Sequence, residues 1–180
     1  MKKSLYSIFA LVAMLIAFTS CEKDEVQNTA TVEMAGEWHV HVTAIDPATG
    51  EVADPDWFGD GNYNIATFNT ASNVATEMWL QDAVCSFFPY QVLVKVDPAT
   101  MTFSAENGEN IYGASDYGGE KVTISGGKIV KNGTTSPSGM PVDYIEFYVS
   151  FSDDPFPDAY GVSEKYLVSG FRYTGFVDDE

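Results

Sequence analysis

Gly36-Glu37-Trp38-His39-Val40-His41-Val42-Thr43-Ala44-Ile45 alternates two kinds of side chain along ten residues. Trp38, Val40 and Val42 fall on one face, and His39, His41 and Thr43 on the other. A period of two is the mark of a half-buried β-strand, because successive side chains of an extended chain point to opposite sides. Asp46-Pro47-Ala48-Thr49-Gly50 follows and reads as a turn, with proline at the second position of a type I turn.

The same pattern recurs outward from this stretch. Residues 63–70 and 74–81 read as strands around Ala71-Ser72-Asn73, and Val74, Thr76, Met78 and Leu80 share a face in the second. Val92, Val94 and Val96 line one face of 91–97. Asp97-Pro98-Ala99-Thr100 repeats the earlier turn chemistry, after which Met101, Phe103 and Ala105 alternate with Thr102 and Ser104. Residues 121–125 and 128–131 flank Gly126-Gly127, which reads as a two-residue hairpin turn. Ile145, Phe147, Val149 and Phe151 alternate with Tyr144, Glu146, Tyr148 and Ser150 across 143–152, and a last strand runs over about 164–176. No stretch of a dozen residues after the N-terminal segment carries a helical stripe. The fold expected is all-β: an antiparallel barrel of eight to nine strands, with a β-sandwich as the alternative.

One pairing favours the barrel. Gly36-Glu37-Trp38 opens the first strand, and Arg172, the sole arginine of the chain, lies in the last. This arrangement resembles the lipocalin-like barrels, in which a first-strand tryptophan plugs the closed end and a last-strand arginine packs across its ring. A planar guanidinium stacks on an indole face and donates to nearby carbonyls, which an ammonium does not reproduce. The competing reading is an unrelated core tryptophan and a surface arginine. The ending Tyr166-Leu167-Val168-Ser169-Gly170-Phe171-Arg172-Tyr173-Thr174-Gly175-Phe176, together with Ala35-Gly36-Glu37-Trp38, resembles a family of bacterial surface lipoproteins described as lipocalin-like "lipid-binding putative hydrolase" proteins. The resemblance implies a small antiparallel barrel across 34–180. In such a barrel Met78, Phe103, Phe147, Val149 and Phe151 are expected to face inward and line a site for a small hydrophobic or lipid ligand.

The N-terminus sets the expected compartment. Lys2 and Lys3 precede an apolar run over 5–18, and Phe18-Thr19-Ser20-Cys21 follows. A positive end, a short apolar core and a small-residue exit read as a signal peptide over 1–20. The run is shorter than the roughly 20 residues that span a bilayer. Cys21 at the exit resembles the acylated cysteine of a lipoprotein, which anchors the chain by several buried acyl chains. Residues 21–33 read as a tether, and its Glu22-Lys23-Asp24-Glu25 resembles the export tag of surface lipoproteins. The expected place is therefore the outer membrane, at the cell surface or otherwise on its periplasmic face.

Loss of residues 1–20 leaves seven basic side chains against 26 acidic ones. So negative a surface repels phosphate backbones and excludes nucleic acid as an expected partner. With Cys21 acylated, Cys85 has no disulfide partner and reads as a small buried apolar residue.

Catalytic signals are sparse. No Gly-x-Ser-x-Gly occurs, and Gly113-Ala114-Ser115-Asp116-Tyr117 is the nearest approach. His39 and His41 are the only histidines, and both are expected to point to solvent, away from the barrel interior. No metal or cofactor is expected. The loops around Asp54-Pro55-Asp56 and Asp153-Asp154-Pro155 offer oxygen ligands for calcium but are equally ordinary turn chemistry. Loop aromatics (Trp57, Phe58, Phe87, Phe88 and Phe156) plug the barrel mouth, admit an apolar ligand, or stack on a glycan. The expected function is a non-catalytic binding module for a hydrophobic ligand. A glycan- or protein-binding module with a filled barrel is the alternative, and a hydrolase comes third.

Overall fold

The computed structural model describes residues 28–54, 63–82, 88–112 and 119–179. Nine strands run in chain order: β1 Gly36–Ile45, β2 Val52–Asp54, β3 Tyr63–Asn69, β4 Glu77–Asp82, β5 Tyr90–Asp97, β6 Thr102–Glu109, β7 Lys121–Thr135, β8 Pro141–Phe151 and β9 Tyr166–Arg172. Among the described residues a five-residue helix, α1 Phe156–Tyr160, sits in the β8–β9 connection, and one 3-10 turn, Val177–Asp179, follows the last strand. All pairings are antiparallel. Eight strands follow one another in sequence order, from β1 and β3 through β9, and β1 also pairs with β9. Trp38 lies opposite Arg172 and Ala44 opposite Tyr166 along that seam. The sheet therefore closes into an eight-stranded barrel, and β2 is an extra strand beside the end of β1. Closure removes the unpaired edges that an open sheet of this size exposes.

The alternation seen in the sequence becomes the inside and outside of the wall. Trp38, Val40, Val42, Met78, Leu80, Val92, Val94, Ile145, Phe147 and Val149 are all buried in one apolar cluster. Each large side chain removed from water in this way contributes roughly 1.5–3 kcal/mol before ordering entropy is counted. The barrel has two unlike ends. The base holds the start of β1, the β3–β4, β5–β6 and β7–β8 hairpins and the end of β9. The loop end holds the β4–β5, β6–β7 and β8–β9 connections.

Three expectations need correction. Gly126-Gly127 is not a hairpin turn: β7 runs unbroken through it for 15 residues. Ser125 pairs with Tyr148 and Lys128 with Glu146, so three steps on β7 oppose two on β8. That is a β-bulge, with Gly126 supplying the left-handed φ of +64° that the extra residue needs. A side chain at Gly127 would meet the Phe103 ring at 2.5 Å, so the second glycine makes room for a core aromatic. Second, β4 begins at Glu77 rather than 74, and Val74 is exposed in the preceding turn. Third, the last strand is Tyr166–Arg172, shorter than 164–176. The Asp46 and Asp97 turns form as expected, each aspartate accepting a backbone hydrogen bond two residues on, from Ala48 and Ala99.

Candidate ligand-binding site

The base is locked by one arginine. Its guanidinium lies over the Trp38 ring with Cζ 4.5 Å from the ring centre. Nη1 donates to the Ala35 carbonyl at 2.5 Å, Nη2 to the Glu33 carbonyl at 3.4 Å, and Nε to Asp143 Oδ2 at 3.0 Å. Lys131 reaches the same carboxylate at 3.2 Å and the Glu33 carbonyl at 2.8 Å. Burial by itself would raise the Asp143 carboxyl. The Asn132 N–H, Lys131 and Arg172 outweigh it and hold the group below the usual carboxylate range. Under the ring, Trp38 Nε1 donates to Thr67 Oγ1 at 2.9 Å, and that hydroxyl donates to the Met34 carbonyl at 2.6 Å. Gly36 is required by this packing, since a methyl there would stand 2.3 Å from Arg172 Nη1. The Gly-x-Trp spacing thus has a steric cause: the glycine leaves the lane by which the arginine crosses the indole two residues on.

The five residues expected to line the interior are brought together. Met78, Phe147 and Val149 are fully buried, with Phe103 3 % and Phe151 7 % exposed. They occupy different heights. Phe103 and Phe147 meet edge to face at 5.7 Å within the barrel, while Phe151 ends β8 at the loop end. Around Phe151 gather aromatics from several elements: Phe88 at 4.8 Å, Tyr90 at 5.5 Å, and Phe156 of α1, which is 5.5 Å from Phe88. Tyr166 closes this group, 6.3 Å from Phe88.

Two features tie the loop end down. Tyr166 donates its hydroxyl to Asp154 Oδ2 at 2.6 Å, and Asp154 Oδ1 accepts the Phe156 N–H at 2.9 Å. Burial, then the Asp154 hydrogen bond, push the Tyr166 hydroxyl well above its ordinary value. Buried Asn110 accepts from the Gln91 and Tyr112 N–H groups and donates to the Pro89 and Gly119 carbonyls, bridging the β4–β5 and β6–β7 connections.

Asp82 and Tyr90 were not singled out from the sequence. They pair across β4 and β5 at the loop end, and both are buried inside the wall. Burial, and then the charge of Asp82, raise the Tyr90 hydroxyl well above its usual value, and the same two causes in the same order raise Tyr63. The signal was present: Met78, Leu80 and Asp82 form one inward series, so an acid stands where the alternation demands an apolar residue.

Other candidates fall elsewhere. His41 is exposed as expected. His39 is on the outer wall but buried, stacked on Tyr173 at 4.7 Å and beside Phe171 at 5.6 Å, so its expected solvent exposure is wrong. The turn after β9 folds back over β1, and a period-two reading does not see a flanking segment. The acidic segment at 153–158 spends Asp154 on turn and tyrosine contacts. Phe88 and Phe156 are core-packed rather than displayed. Cys21, Trp57, Phe58, Cys85, Phe87 and Ser115 lie outside the described residues. Among the described residues no group of three or more His, Cys, Asp or Glu is placed to hold a metal. Shallow hollows of about 460 and 540 Å³ indent the outer wall, the first over β5–β7 around Lys95, Ser104 and Lys128, the second over β4–β5 around Thr76, Glu77 and Leu93.

No curated protein matches the chain. A family model described as "Lipid-binding putative hydrolase" matches residues 23–177, a range that contains every strand of the barrel. With the Trp38–Arg172 lock and the closed eight-stranded wall, that match makes this chain a member of the lipid-binding putative hydrolase family.

Proposed function

We propose that this protein is a surface lipoprotein, anchored through Cys21, whose barrel binds a small hydrophobic or lipid ligand without catalysing a reaction on it. The supporting observation is the contrast between the two ends. Arg172, Asp143 and Thr67 cross-brace the base with hydrogen bonds, whereas Phe88, Phe151, Phe156 and Tyr166 gather at the loop end from four separate elements. Apolar ligands enter concave sites lined by aromatics with a few placed polar groups. The loop end is the end that fits, and Phe151 is the member of the expected lining set that lies there. Both histidines are on the outer wall, so neither is available to an interior nucleophile.

Titration with an apolar fluorophore tests the binding. Phe156→Ala, at the loop end, is expected to weaken binding at least about fivefold, and Arg172→Lys, at the base, to leave it within about twofold. The reverse order would refute entry at the loop end. Metabolic labelling with an alkyne fatty acid tests the anchor: label is expected on the protein and lost in Cys21→Ala. Protease digestion of intact cells separates the cell surface from the periplasmic face.

The alternative, a glycan- or protein-binding module with a filled barrel, draws support from the packed interior and the hollows on the outer wall. Ligand exchange that is insensitive to Phe156→Ala and competed by oligosaccharide would favour it.

A further inference from the structure

Exposed apolar side chains collect at the barrel base. Phe176 and Val177, in the segment after β9, are 57 % and 80 % exposed, and Met140 at the β7–β8 hairpin is 52 % exposed. They are held at one corner. Asp179 accepts the Ser138 N–H at 2.6 Å and the Thr174 hydroxyl at 2.5 Å. The 3-10 turn Val177–Asp179 is thereby fastened to the hairpin that carries Met140. On the same end the Ala30 N–H donates to Asn73 at 2.8 Å, which seats the N-terminal approach against the β3–β4 turn. Val32 in that approach and Val74 in that turn are also exposed. Apolar residues scattered singly over a surface are ordinary, but a group fixed on one face marks a contact surface. Lys131 and Arg172 at the base are both engaged by Asp143, so neither is free to draw an anionic partner.

We propose that this face of the base lies on the membrane, with Met140, Phe176 and Val177 dipping into the headgroup region of a lipid surface without net charge. The inference rests on the proposed acylation of Cys21 and adds an orientation to it. Asn28, where the described chain begins, lies seven residues after Cys21, and seven residues reach at most about 25 Å when fully extended. The loop end is farther off: β1 runs for ten residues, about 30 Å, before Ile45 meets the β8–β9 connection at Ser163. An acyl chain on Cys21 therefore holds the base against the bilayer, where a short tether makes even a small apolar patch effective by raising its local concentration. The large surplus of acidic residues opposes an anionic surface, so the contact is apolar rather than electrostatic. The aromatic loop end then faces away from the membrane that carries the anchor.

The test uses the full acylated chain in phosphatidylcholine vesicles that contain a phosphatidylcholine with a photoactivatable diazirine on its acyl chain. After illumination, mass spectrometry maps the labelled residues. Label at Met140, Phe176 and Val177 is expected to exceed that at Tyr112 and Tyr160 of the loop end at least about fivefold. In the double variant Phe176→Ser, Val177→Asp, both changes at exposed positions, base labelling is expected to fall severalfold while the protein still floats with the vesicles. Phosphatidylglycerol added to the vesicles is expected to lower base labelling, and a rise would overturn the apolar assignment. Label that favours the loop end, or that is unchanged in the double variant, overturns the orientation while leaving the anchor intact. A base shielded from label in a protein that is dimeric, and monomeric in the double variant, assigns the patch to a second copy and overturns the lipid contact. Protein that does not float with the vesicles at all overturns the acyl anchor, and this inference with it.

Discussion

Arg172 does at the base what no other residue of the chain is equipped to do. It covers an indole, donates to two carbonyls of the N-terminal approach and meets Asp143, all from one planar group. Cation–π contact by a partly exposed guanidinium contributes about 1 kcal/mol, and hydrogen bonds to charged groups about 1.5–3 kcal/mol each before context is allowed for. Arg172→Lys keeps the charge and loses the fork, so a destabilisation of about 1–3 kcal/mol is expected in urea unfolding. Gly36→Ala is expected to do comparable damage by driving the guanidinium off its ring. Equal stability of both variants would show that the stack is incidental. The carboxylates here also set the acid response. Asp143 is held below its ordinary value, and so is Asp179, where burial is outweighed by hydrogen bonds from Thr174 and Ser138. A carboxyl depressed in the folded state contributes stability in full above its unfolded value near pH 4, and that contribution is lost as pH falls through the lower folded value. Thermal midpoints are therefore expected to hold between about pH 5 and 7 and to fall below about pH 4. In Asp143→Asn the acid loss becomes shallower.

At the scale of elements, the strands were legible wherever one face is apolar and the other is not. Trp38 to Val42 and Ile145 to Phe151 needed nothing beyond period two, and Gly36, Trp38 and Arg172 announced the closing seam. Gly126-Gly127 misled because a hairpin turn and a bulge use the same residue for the same reason, a left-handed φ. Only the partner strands, β6 and β8 running past the glycines, distinguish them. Long-range pairing of that kind leaves no local signature. The loop-end aromatics were recognisable as residues but not as a group, because their grouping depends on closure and on Asp154 holding Tyr166 and Phe156. The bulge gives its own prediction. Gly127→Val forces a branched side chain into the space of the Phe103 ring, and overpacking of this kind costs about 1–3 kcal/mol. The expected readout is a lowered thermal midpoint that Phe103→Leu partly restores. A midpoint unchanged from the parent would mean that β7 relaxes away from Phe103 without penalty.

Over the whole molecule the physical account is one of asymmetry: a barrel locked by a tryptophan–arginine stack at one end and gathering aromatics from several elements at the other. Membership of a lipid-binding family agrees with an apolar occupant at the second end. Native mass spectrometry of the freshly purified protein measures this most directly. The account predicts a population heavier than the bare chain by the mass of one small apolar molecule, released intact by organic solvent and absent or much reduced in Phe156→Ala. Bare protein throughout, unable to take up added long-chain alcohol, would contradict it.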